Sequence, residues 1–278
     1  MPISEAGSLM AERTSIRRIV RFPNGSSVND SIAVEEPLTI RLHGEDLAVL
    51  MRTPGDDRAL VAGFLLAEGI IQTAADIRAL GPCQDASDNP NVVAVELAEG
   101  CPWDPESVRR TSLSSTSCGI CGKTTIENLL KRCLPHPTSL AIDVEMLRQA
   151  PRLVHTKQDL FETTGGIHAA AIVATKDYVL TGFAEDVGRH NAIDKVIGRA
   201  LLEDTIPLQD HVLWVSGRSS FDVIQKALAG GLPAVICVGA PTSMAVDLAR
   251  KSNLTLVGFT KDDTKYNVYA GDVTSSHG

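Results

Sequence analysis

Long apolar runs are missing from this sequence: no stretch of about 18 apolar residues occurs, so no membrane-spanning helix is predicted. The N-terminus, Met-Pro-Ile-Ser-Glu, lacks the charged-then-apolar pattern of a secretory signal. A surplus of positive charge is missing as well, since the formal net charge is −8. Phosphate backbones and anionic membranes need a basic face, so we expect neither nucleic acid nor a membrane as partner, and any anionic ligand must meet a local basic cluster.

Cysteine is scarce, with six residues in a chain of 278. A disulfide scaffold needs a much higher density of cysteine, so we expect free thiols and a cytoplasmic location, where thiols stay reduced. The chain is long enough for one large domain or two ordinary ones, and its 44% of hydrophobic residues can bury a sizeable core.

Two of the cysteines, Cys118 and Cys121, are separated by two residues and follow a polar run. In that run, residues 111–117, six of the seven residues are Ser or Thr, which offer a core nothing to bury, so we predict a mobile loop. Thr124 and Glu127 then form the capping-box pattern that begins a helix. The partial positive charge at a helix N-terminus favours a thiolate, the form that attacks sulfur or binds metal.

Three interpretations of this Cys-x-x-Cys pair remain open from spacing alone: redox or sulfur chemistry, half of a zinc site, or no special role. A zinc site needs two more ligands, and neither Cys83 nor Cys101 lies close in sequence to another Cys or His. Cys133, on an apolar helical stripe, and Cys237, inside a predicted strand, are interpreted as small buried hydrophobes. Reactive sulfur on a flexible arm is therefore favoured, and no zinc is expected.

The pattern of predicted elements changes along the chain. The first part mixes short strands with helices predicted at residues 56–68 and 73–80, which is typical of a small α+β domain. The later part alternates strands with helices, including helices at residues 189–202 and 219–228, and so predicts a mostly parallel, covered sheet in an α/β domain. The expected domains are a disordered tail at 1–15, the α+β domain at 16–110, the Cys-x-x-Cys loop and helix at 111–136, and the α/β domain at 137–278.

Four loops of the α/β part lie where ligands gather in such sheets, beyond the carboxyl ends of strands. Each alone is explained by turn glycines, capping hydroxyls and solvated cations. Three of the four carry Arg or Lys, however, and together they indicate an anionic ligand. The helix predicted to begin at Ser219, and to be capped by it, adds backbone N–H donors. The loops are residues 185–190, 216–220, 239–243 and 260–265.

Two histidines are candidates for a metal or acid–base role. Asp186, His190 and Asp194 recur every four residues and would share one helix face, although such a row is more often a local set of salt bridges. His168, which follows two glycines, has two interpretations as well: an acid–base group or a hydrogen-bonded core histidine.

Several short stretches occur together in a fixed order. They are residues 36–38, 52–57, 63–69, 117–123, 164–170, 185–191, 194–195, 216–221, 240–243 and 267–269. In these stretches, which cover nearly everything from about residue 30 to residue 270, the chain resembles the formate dehydrogenase accessory sulfurtransferases, the FdhD family. The ordered combination is far more specific than the cysteine pair alone.

The resemblance implies a sulfur carrier. A cysteine desulfurase would load a persulfide onto Cys118, and Cys121 would be an accessory thiol that assists release by attacking the persulfide. The sulfur would pass to the molybdenum or tungsten bis(pterin guanine dinucleotide) cofactor, held as a bound substrate, which formate dehydrogenase requires in sulfurated form. A cofactor-binding chaperone that delivers the metal–pterin without sulfur turnover is the alternative. The resemblance further implies a cytidine deaminase-like α/β domain and a homodimer.

The same resemblance implies a cofactor-binding stretch directly after the last predicted strand. Here that stretch carries lysines where the family usually has arginines, and lysine offers a point charge rather than a planar fork. Arg189, Arg218 and Ser219 are expected to join this site. Phe259 and Tyr266 could each flank the guanine, or each could belong to the core. The residues of the stretch are Phe259, Thr260, Lys261, Asp262, Asp263, Thr264 and Lys265.

The signature of the zinc-dependent deaminases is not reproduced. His168 is followed by Ala169 and Ala170, so alanine stands where the catalytic glutamate of those enzymes would be. Although the resemblance implies a deaminase-like fold, zinc-dependent deamination is therefore not expected of this chain.

Overall fold

The computed structural model describes residues 13–83, 90–101, 140–262 and 265–275. Cys118, Cys121 and the loop and helix expected at residues 111–136 lie outside the described residues, as do Asp263, Thr264 and residues 1–12. No helix of the described part is long and apolar enough to cross a membrane.

The N-terminal part forms a hairpin and a four-stranded sheet. Its elements are β1 (Thr14–Arg21), β2 (Ser26–Ala33), β3 (Glu36–Leu42), β4 (Glu45–Arg52), α1 (Asp57–Ala67), β5 (Ile77–Pro82) and β6 (Val92–Leu97). The hairpin pairs β1 with β2, and β1 begins at Thr14, inside the segment expected to be a tail. The sheet has the order β4–β3–β6–β5, in which β3 and β6 run parallel and the two outer pairs run antiparallel.

The helix predicted at residues 73–80 is wrong, because a single 3₁₀ turn at Ala74–Asp76 leads directly into strand β5. The Asp76 carboxylate accepts hydrogen bonds from the backbone N–H groups of Gln72 (2.7 Å) and Thr73 (2.9 Å), which gives this segment the local look of a helix start. Beyond Asp76 the chain pairs with β6, so tertiary strand pairing overrides the local signal.

The C-terminal part is built on a six-stranded sheet. Its elements are β7 (Ile142–Asp143), α2 (Val144–His155), α3 (Asp159–Thr164), β8 (His168–Ala174), β9 (Leu180–Asp186), α4 (Arg189–Leu202), β10 (His211–Val215), α5 (Phe221–Ala229), β11 (Ala234–Cys237), α6 (Ser243–Lys251), β12 (Thr255–Asp262), β13 (Lys265–Ala270) and β14 (Val273–Thr274). The sheet has the order β13–β12–β11–β10–β8–β9, and β7 and β14 form a separate short pair.

The expectation of a mostly parallel sheet is wrong. The pairings β10–β11 and β11–β12 are parallel, but β8–β9, β10–β8 and β12–β13 are antiparallel. The connections from β8 to β9 and from β12 to β13 are short, and a short connection joins only antiparallel neighbours. Strands β8 and β9 form a hairpin, and the sheet is therefore mixed.

Two boundaries near the sheet edge also differ from the prediction. Helix α5 begins at Phe221 with Ser220 at its N-cap, so Ser219 does not cap it. The backbone of Ser219 is still extended, because it forms a parallel bridge with Pro241. The loop predicted at residues 260–265 is largely strand, because β12 continues to Asp262 and β13 begins at Lys265. By contrast, α4 occupies the residues predicted for it.

The two parts of the chain share one hydrophobic core. Helix α1 packs against α4, and Leu60 and Leu65 of α1 are fully buried together with Ile193 of α4. Each such side chain contributes about 1.5–3 kcal/mol through its burial. A second cluster, with Met146 of α2 and Trp214 of β10, covers the opposite face of the six-stranded sheet. The sheet is therefore covered on both faces, as predicted, and ligands can reach it at its edges.

Candidate anion-binding site

The loops that follow several strands meet at the carboxyl edge of the six-stranded sheet. The N–H group of Gly239, after β11, donates to the carbonyl oxygen of Gly217, after β10, across 3.0 Å. The N–H group of Phe259 in β12 donates to the carbonyl oxygen of Gly239 across 3.2 Å, and that of Thr242 donates to the carbonyl oxygen of Ser219 across 2.9 Å. These backbone bonds make the loops after β10 and β11 neighbours of each other and of the end of β12.

Two glycines at this edge leave room for arginine side chains. A Cβ atom at Gly217 would lie 3.4 Å from Arg189 Cδ and 3.5 Å from His168 Cε1. A Cβ atom at Gly239 would lie 3.2 Å from Arg218 Cγ. The structure thus brings Arg189, which follows β9, and Arg218, which follows β10, against adjacent backbone at the same edge.

Two polar groups at this edge are buried and unsatisfied. Arg189 Nε and Ser219 Oγ have no hydrogen-bond partner among the described residues. An unsatisfied buried donor costs roughly 1–3 kcal/mol. Arg189 as a whole is only half-buried and can meet a ligand, whereas the Ser219 side chain is fully buried and cannot, contrary to the expectation that it joins the site. Helix α4 begins at Arg189, and its N-cap, Gly188, has no side chain to cap the first turn. This donor set fits an anionic ligand such as a phosphate or pyrophosphate group.

His168 lies beside the arginine, at the start of β8. Its Nδ1 atom is 3.4 Å from Ser216 Oγ, and that hydroxyl accepts a hydrogen bond of 2.9 Å from the N–H group of Ala169. Burial, and then the charge of Arg189, lower the pKa of His168 below its ordinary value. The lowered pKa favours the neutral imidazole near pH 7, a form that fits both an acid–base group and a hydrogen-bonded histidine.

The predicted row of Asp186, His190 and Asp194 does not act as one group. Asp186 pairs with Lys195 across 2.7 Å, and Asp194 pairs with Lys226 across 2.6 Å. Among the described residues, no three His, Cys, Asp or Glu side chains are close enough to hold a metal ion together. The two carboxylates thus form separate buried salt bridges with lysines outside the row, so the row is not the local set of salt bridges that was expected as the commoner case.

His190, the middle member of that row, faces helix α5. Its Nε2 atom is 3.2 Å from Ser220 Oγ and 3.8 Å from the carboxylate of Asp222. Burial, followed by the positive charges of Lys226 and Arg189, lowers the pKa of His190 to about 4. His190 is therefore neutral across the physiological range. Burial also raises the pKa of Asp194 to about 6, against the opposing effect of its Lys226 partner.

The predicted cofactor-binding stretch alternates between surface and interior. Phe259 is 48% exposed and has a φ of 60°, a left-handed conformation that is unusual for a bulky residue. Thr260 is buried, and its hydroxyl donates to the carbonyl oxygen of Cys237 across 3.1 Å. Lys261 and Lys265 are exposed. Phe259 and the two lysines can thus meet a ligand, whereas the Thr260 side chain points inward.

Other residues of this region belong to the interior. Tyr266 is partly buried and packs against the core cluster that contains Trp214. Cys237 is fully buried, which confirms its interpretation as a small hydrophobe, and burial raises the pKa of its thiol to about 12. Asp262 closes β12, while Asp263 and Thr264 lie outside the described residues. The aromatic side chain available at the surface of this stretch is therefore that of Phe259.

Sequence reasoning missed the interior support of the site. Lys195 is 1% exposed and forms an ion pair with Asp186, the last residue of β9 before the loop that contains Arg189. Its Nζ atom also donates to the carbonyl oxygen of Thr53, 142 positions away in the chain. Both residues fall in stretches that carry the family resemblance, but no local spacing pattern marks them as partners.

Comparisons with known proteins show which family this chain resembles. The model of the FdhD/NarQ family matches residues 33–274. The chain is 42% identical to the sulfur carrier protein FdhD of Streptomyces avermitilis, over 95% of this chain and 96% of that protein. It is 44% identical to the sulfur carrier protein FdhD of Nocardia farcinica, over 93% of each.

A solved structure supports the fold independently. The crystal structure of a putative formate dehydrogenase accessory protein from Desulfotalea psychrophila aligns with a TM-score of 0.71, over 93% of this chain and 96% of that chain. At 23% identity this likeness supports the fold alone. The family model covers well over half of the chain, and the curated relatives exceed 40% identity over nearly its whole length. This chain belongs to the FdhD/NarQ family.

Proposed function

We propose that this protein is a sulfur carrier in the maturation of formate dehydrogenase. In this proposal Cys118 accepts sulfur from a cysteine desulfurase as a persulfide and passes it to the molybdenum or tungsten bis(pterin guanine dinucleotide) cofactor, bound as a substrate. The observation that carries the proposal is that Cys118 and Cys121 fall inside the residues matched by the FdhD/NarQ family model, whose curated relatives are named sulfur carrier proteins.

The two cysteines supply the two electrons that are needed to release the transferred sulfur as hydrosulfide. The Cys118 thiolate takes the outer sulfur atom of the desulfurase persulfide, and the desulfurase cysteine leaves as a thiolate. The Cys121 thiolate then attacks the Cys118 sulfur, which forms a disulfide and releases the outer sulfur as hydrosulfide. The hydrosulfide would replace an oxygen ligand of the cofactor metal, which leaves as hydroxide or water. Two external thiols, or one dithiol, must reduce the disulfide before the next cycle.

The candidate anion-binding site supports the cofactor half of the proposal. The half-buried Arg189 offers a guanidinium group for the oxygens of a pyrophosphate, and Phe259 offers an exposed aromatic face for a guanine ring. Lys261 and Lys265 add positive charge from the adjacent strands. We further propose that the six-stranded unit is cytidine deaminase-like, and that the protein is a cytoplasmic homodimer.

The test uses a cysteine desulfurase, cysteine and sulfur-free formate dehydrogenase. Reactivation of the dehydrogenase is expected with the wild type and should be lost in Cys118→Ala. Normal reactivation by Cys118→Ala would remove this residue from the pathway. The alternative function, delivery of the cofactor without sulfur turnover, predicts that desulfurase and cysteine leave the protein mass unchanged. A carrier instead gains one sulfur atom, which a reductant removes.

A further inference from the structure

We propose that the buried ion pair of Asp186 and Lys195 positions Arg189 in the anion-binding site and ties that site to the N-terminal part of the chain through Thr53. This inference rests on the proposed function only in taking the guanine nucleotide end of the cofactor as the ligand of the site. The proposal concerns positioning, since neither member of the pair reaches the surface where a ligand would bind.

The Asp186 carboxylate organises the turn that presents Arg189. Its Oδ2 atom lies 2.7 Å from Lys195 Nζ. Its Oδ1 atom accepts hydrogen bonds from the N–H group of Gly188 (2.8 Å) and from Asn191 Nδ2 (2.9 Å). Gly188 and Asn191 flank Arg189 at the start of α4, so a single carboxylate binds the backbone before the arginine and a side chain after it.

The N-terminal part closes over the same carboxylate. Lys195 Nζ donates to the carbonyl oxygen of Thr53 across 2.8 Å, and the N–H group of Thr53 donates to Asp186 Oδ2 across 3.2 Å. The Thr53 hydroxyl accepts a hydrogen bond of 3.1 Å from the N–H group of Val187. Asn191 Nδ2 also reaches the carbonyl oxygen of Met51, at 2.7 Å. The residues after β4 are therefore bonded directly to the loop of the site.

The segment that closes over the pair is itself held firmly. Arg52, between Met51 and Thr53, is 2% exposed and makes a two-pronged contact with Asp57, at 2.9 Å and 3.0 Å. It also donates to Asn91 Oδ1 across 2.8 Å. The backbone groups that Lys195 and Asn191 bind are thus on a rigid segment, which suits a role in fixing the position of the loop.

Helix α4 carries a second buried ion pair, which does not contact the Arg189 loop. Lys226 contacts both oxygens of Asp194, at 2.6 Å and 2.7 Å, and this pair is buried like the first. It links α4 to α5, whereas the Asp186 pair links α4 to the Arg189 loop and to Thr53. Ion pairs that only support a fold are often replaceable by apolar groups at little cost. The bonds of Asp186 instead converge on the flanks of one arginine, which points to placement of its charge.

The experiment measures GDP binding by calorimetry with Lys195→Met, well below the melting temperature of each variant. We expect binding about tenfold weaker than in the wild type, because a displaced arginine forfeits a charge-assisted hydrogen bond to phosphate. The matched control is Lys226→Met, which breaks the other buried pair on α4. This control should be destabilised too but should keep GDP affinity within about twofold of the wild type.

A double-mutant cycle separates positioning from general damage. If Lys195 acts through Arg189, then Lys195→Met should cause no further loss in an Arg189→Ala background. Equal losses in both backgrounds, or an equal loss in Lys226→Met, would assign the pair a purely structural role. Thr53→Val is the second variant should Lys195→Met not fold. It removes the acceptor for Val187 and should also weaken GDP binding, so unchanged affinity there would overturn the proposal.

The result also separates this inference from the proposed function. Wild-type binding of GDP that is weakened by Arg189→Ala but unchanged by Lys195→Met would overturn the positioning pair and leave the anion site intact. A wild type that does not bind GDP would overturn both the nucleotide site and the positioning role, whatever the outcome of the sulfur-transfer assay with Cys118.

Discussion

Gly63 of α1 lies so close to the carbonyl oxygen of Asp194 in α4 that a Cβ atom on the glycine would overlap it. The same is true in reverse at Gly198 of α4, where a Cβ atom would overlap the carbonyl oxygen of Ala59 in α1. Two glycines thus let the helices cross almost backbone to backbone. This crossing joins the N-terminal part of the chain to the α/β part, and α4 is also the helix that begins with Arg189.

The first prediction follows from that crossing. In an isolated helix Gly63→Ala would gain about 1 kcal/mol from helix propensity. Here the new methyl group meets a backbone carbonyl that cannot rotate away, so we expect a net loss of about 1–3 kcal/mol in the free energy of unfolding, measured in urea. Gly81→Ala in β5 is the control, because its Cβ atom meets nothing within 4 Å. An unchanged stability of Gly63→Ala would mean that the helices can separate freely.

The sequence predicted correctly those helices whose residues show a clear spacing pattern of their own. Helix α4 was predicted correctly because Ile193, Val196 and Ile197 recur at helical spacing and are buried. The helix expected at residues 73–80 failed because the capping pattern at Thr73 is followed by a segment that pairs with a distant strand. The mixed sheet was missed for a related reason, since strand direction depends on connections and not on the composition of each strand.

The site was predictable only in part. The rule that ligands gather at the carboxyl ends of strands correctly predicted that several loops would be neighbours. The partnership of Lys195 with Thr53 was not predictable, because it joins residues far apart in sequence and a lysine on a helix resembles a solvated surface residue. The left-handed backbone of Phe259 was not predictable either, because a bulky aromatic residue gives no sequence signal for a positive φ.

The second prediction concerns the backbone of Phe259. Because its φ is 60°, glycine should fit this position better than alanine by about 1 kcal/mol, the reverse of the usual order in a strand. Phe259→Gly should therefore be more stable than Phe259→Ala in urea unfolding. Both variants should bind GDP more weakly than the wild type, and to a similar extent, because both lose the exposed ring. If Phe259→Ala binds GDP normally, the ring does not contact the nucleotide.

The third prediction is a dependence of stability on pH through His190. Its pKa in the folded protein, about 4, lies below the ordinary value of 6.5. A lowered pKa means that the unfolded chain takes up a proton first, so this contribution to stability is lost as the pH falls from 6.5 towards 4. The raised pKa of Asp194, about 6, works in the opposite direction, because the folded state then takes up a proton first.

The measurement must therefore compare variants and not the wild type alone. Urea unfolding at pH 7 and pH 5 should show that His190→Gln loses less stability on acidification than the wild type does. His155→Gln, at the exposed end of α2, is the control and should lose as much stability between pH 7 and pH 5 as the wild type does. Equal acid sensitivity of His190→Gln and the wild type would show that His190 takes up a proton as readily in the folded state as in the unfolded chain.

The fourth prediction concerns the lysines near the end of the chain. Lys261 and Lys265 lie on β12 and β13, next to the strand position of Phe259, and both are exposed. An exposed point charge contributes modestly and is screened by salt, so Lys261→Ala with Lys265→Ala should weaken GDP binding a few-fold at low ionic strength and less at high ionic strength. The persulfide on Cys118 should form normally, because loading is a separate step.

The control for the Lys261 and Lys265 variant also removes two positive charges, but at other positions in the chain. Lys176 lies in the turn between β8 and β9, at the end of the sheet opposite the anion site, and Lys157 lies between α2 and α3. Both are exposed, so Lys157→Ala with Lys176→Ala removes two positive charges from the same protein but leaves β12 and β13 unchanged. If the site is local, calorimetry will show weaker GDP binding only in the Lys261 and Lys265 variant. Equal weakening in both double variants would mean that GDP senses only the net charge of −8, and equal affinity in all three proteins would place the nucleotide away from β12 and β13.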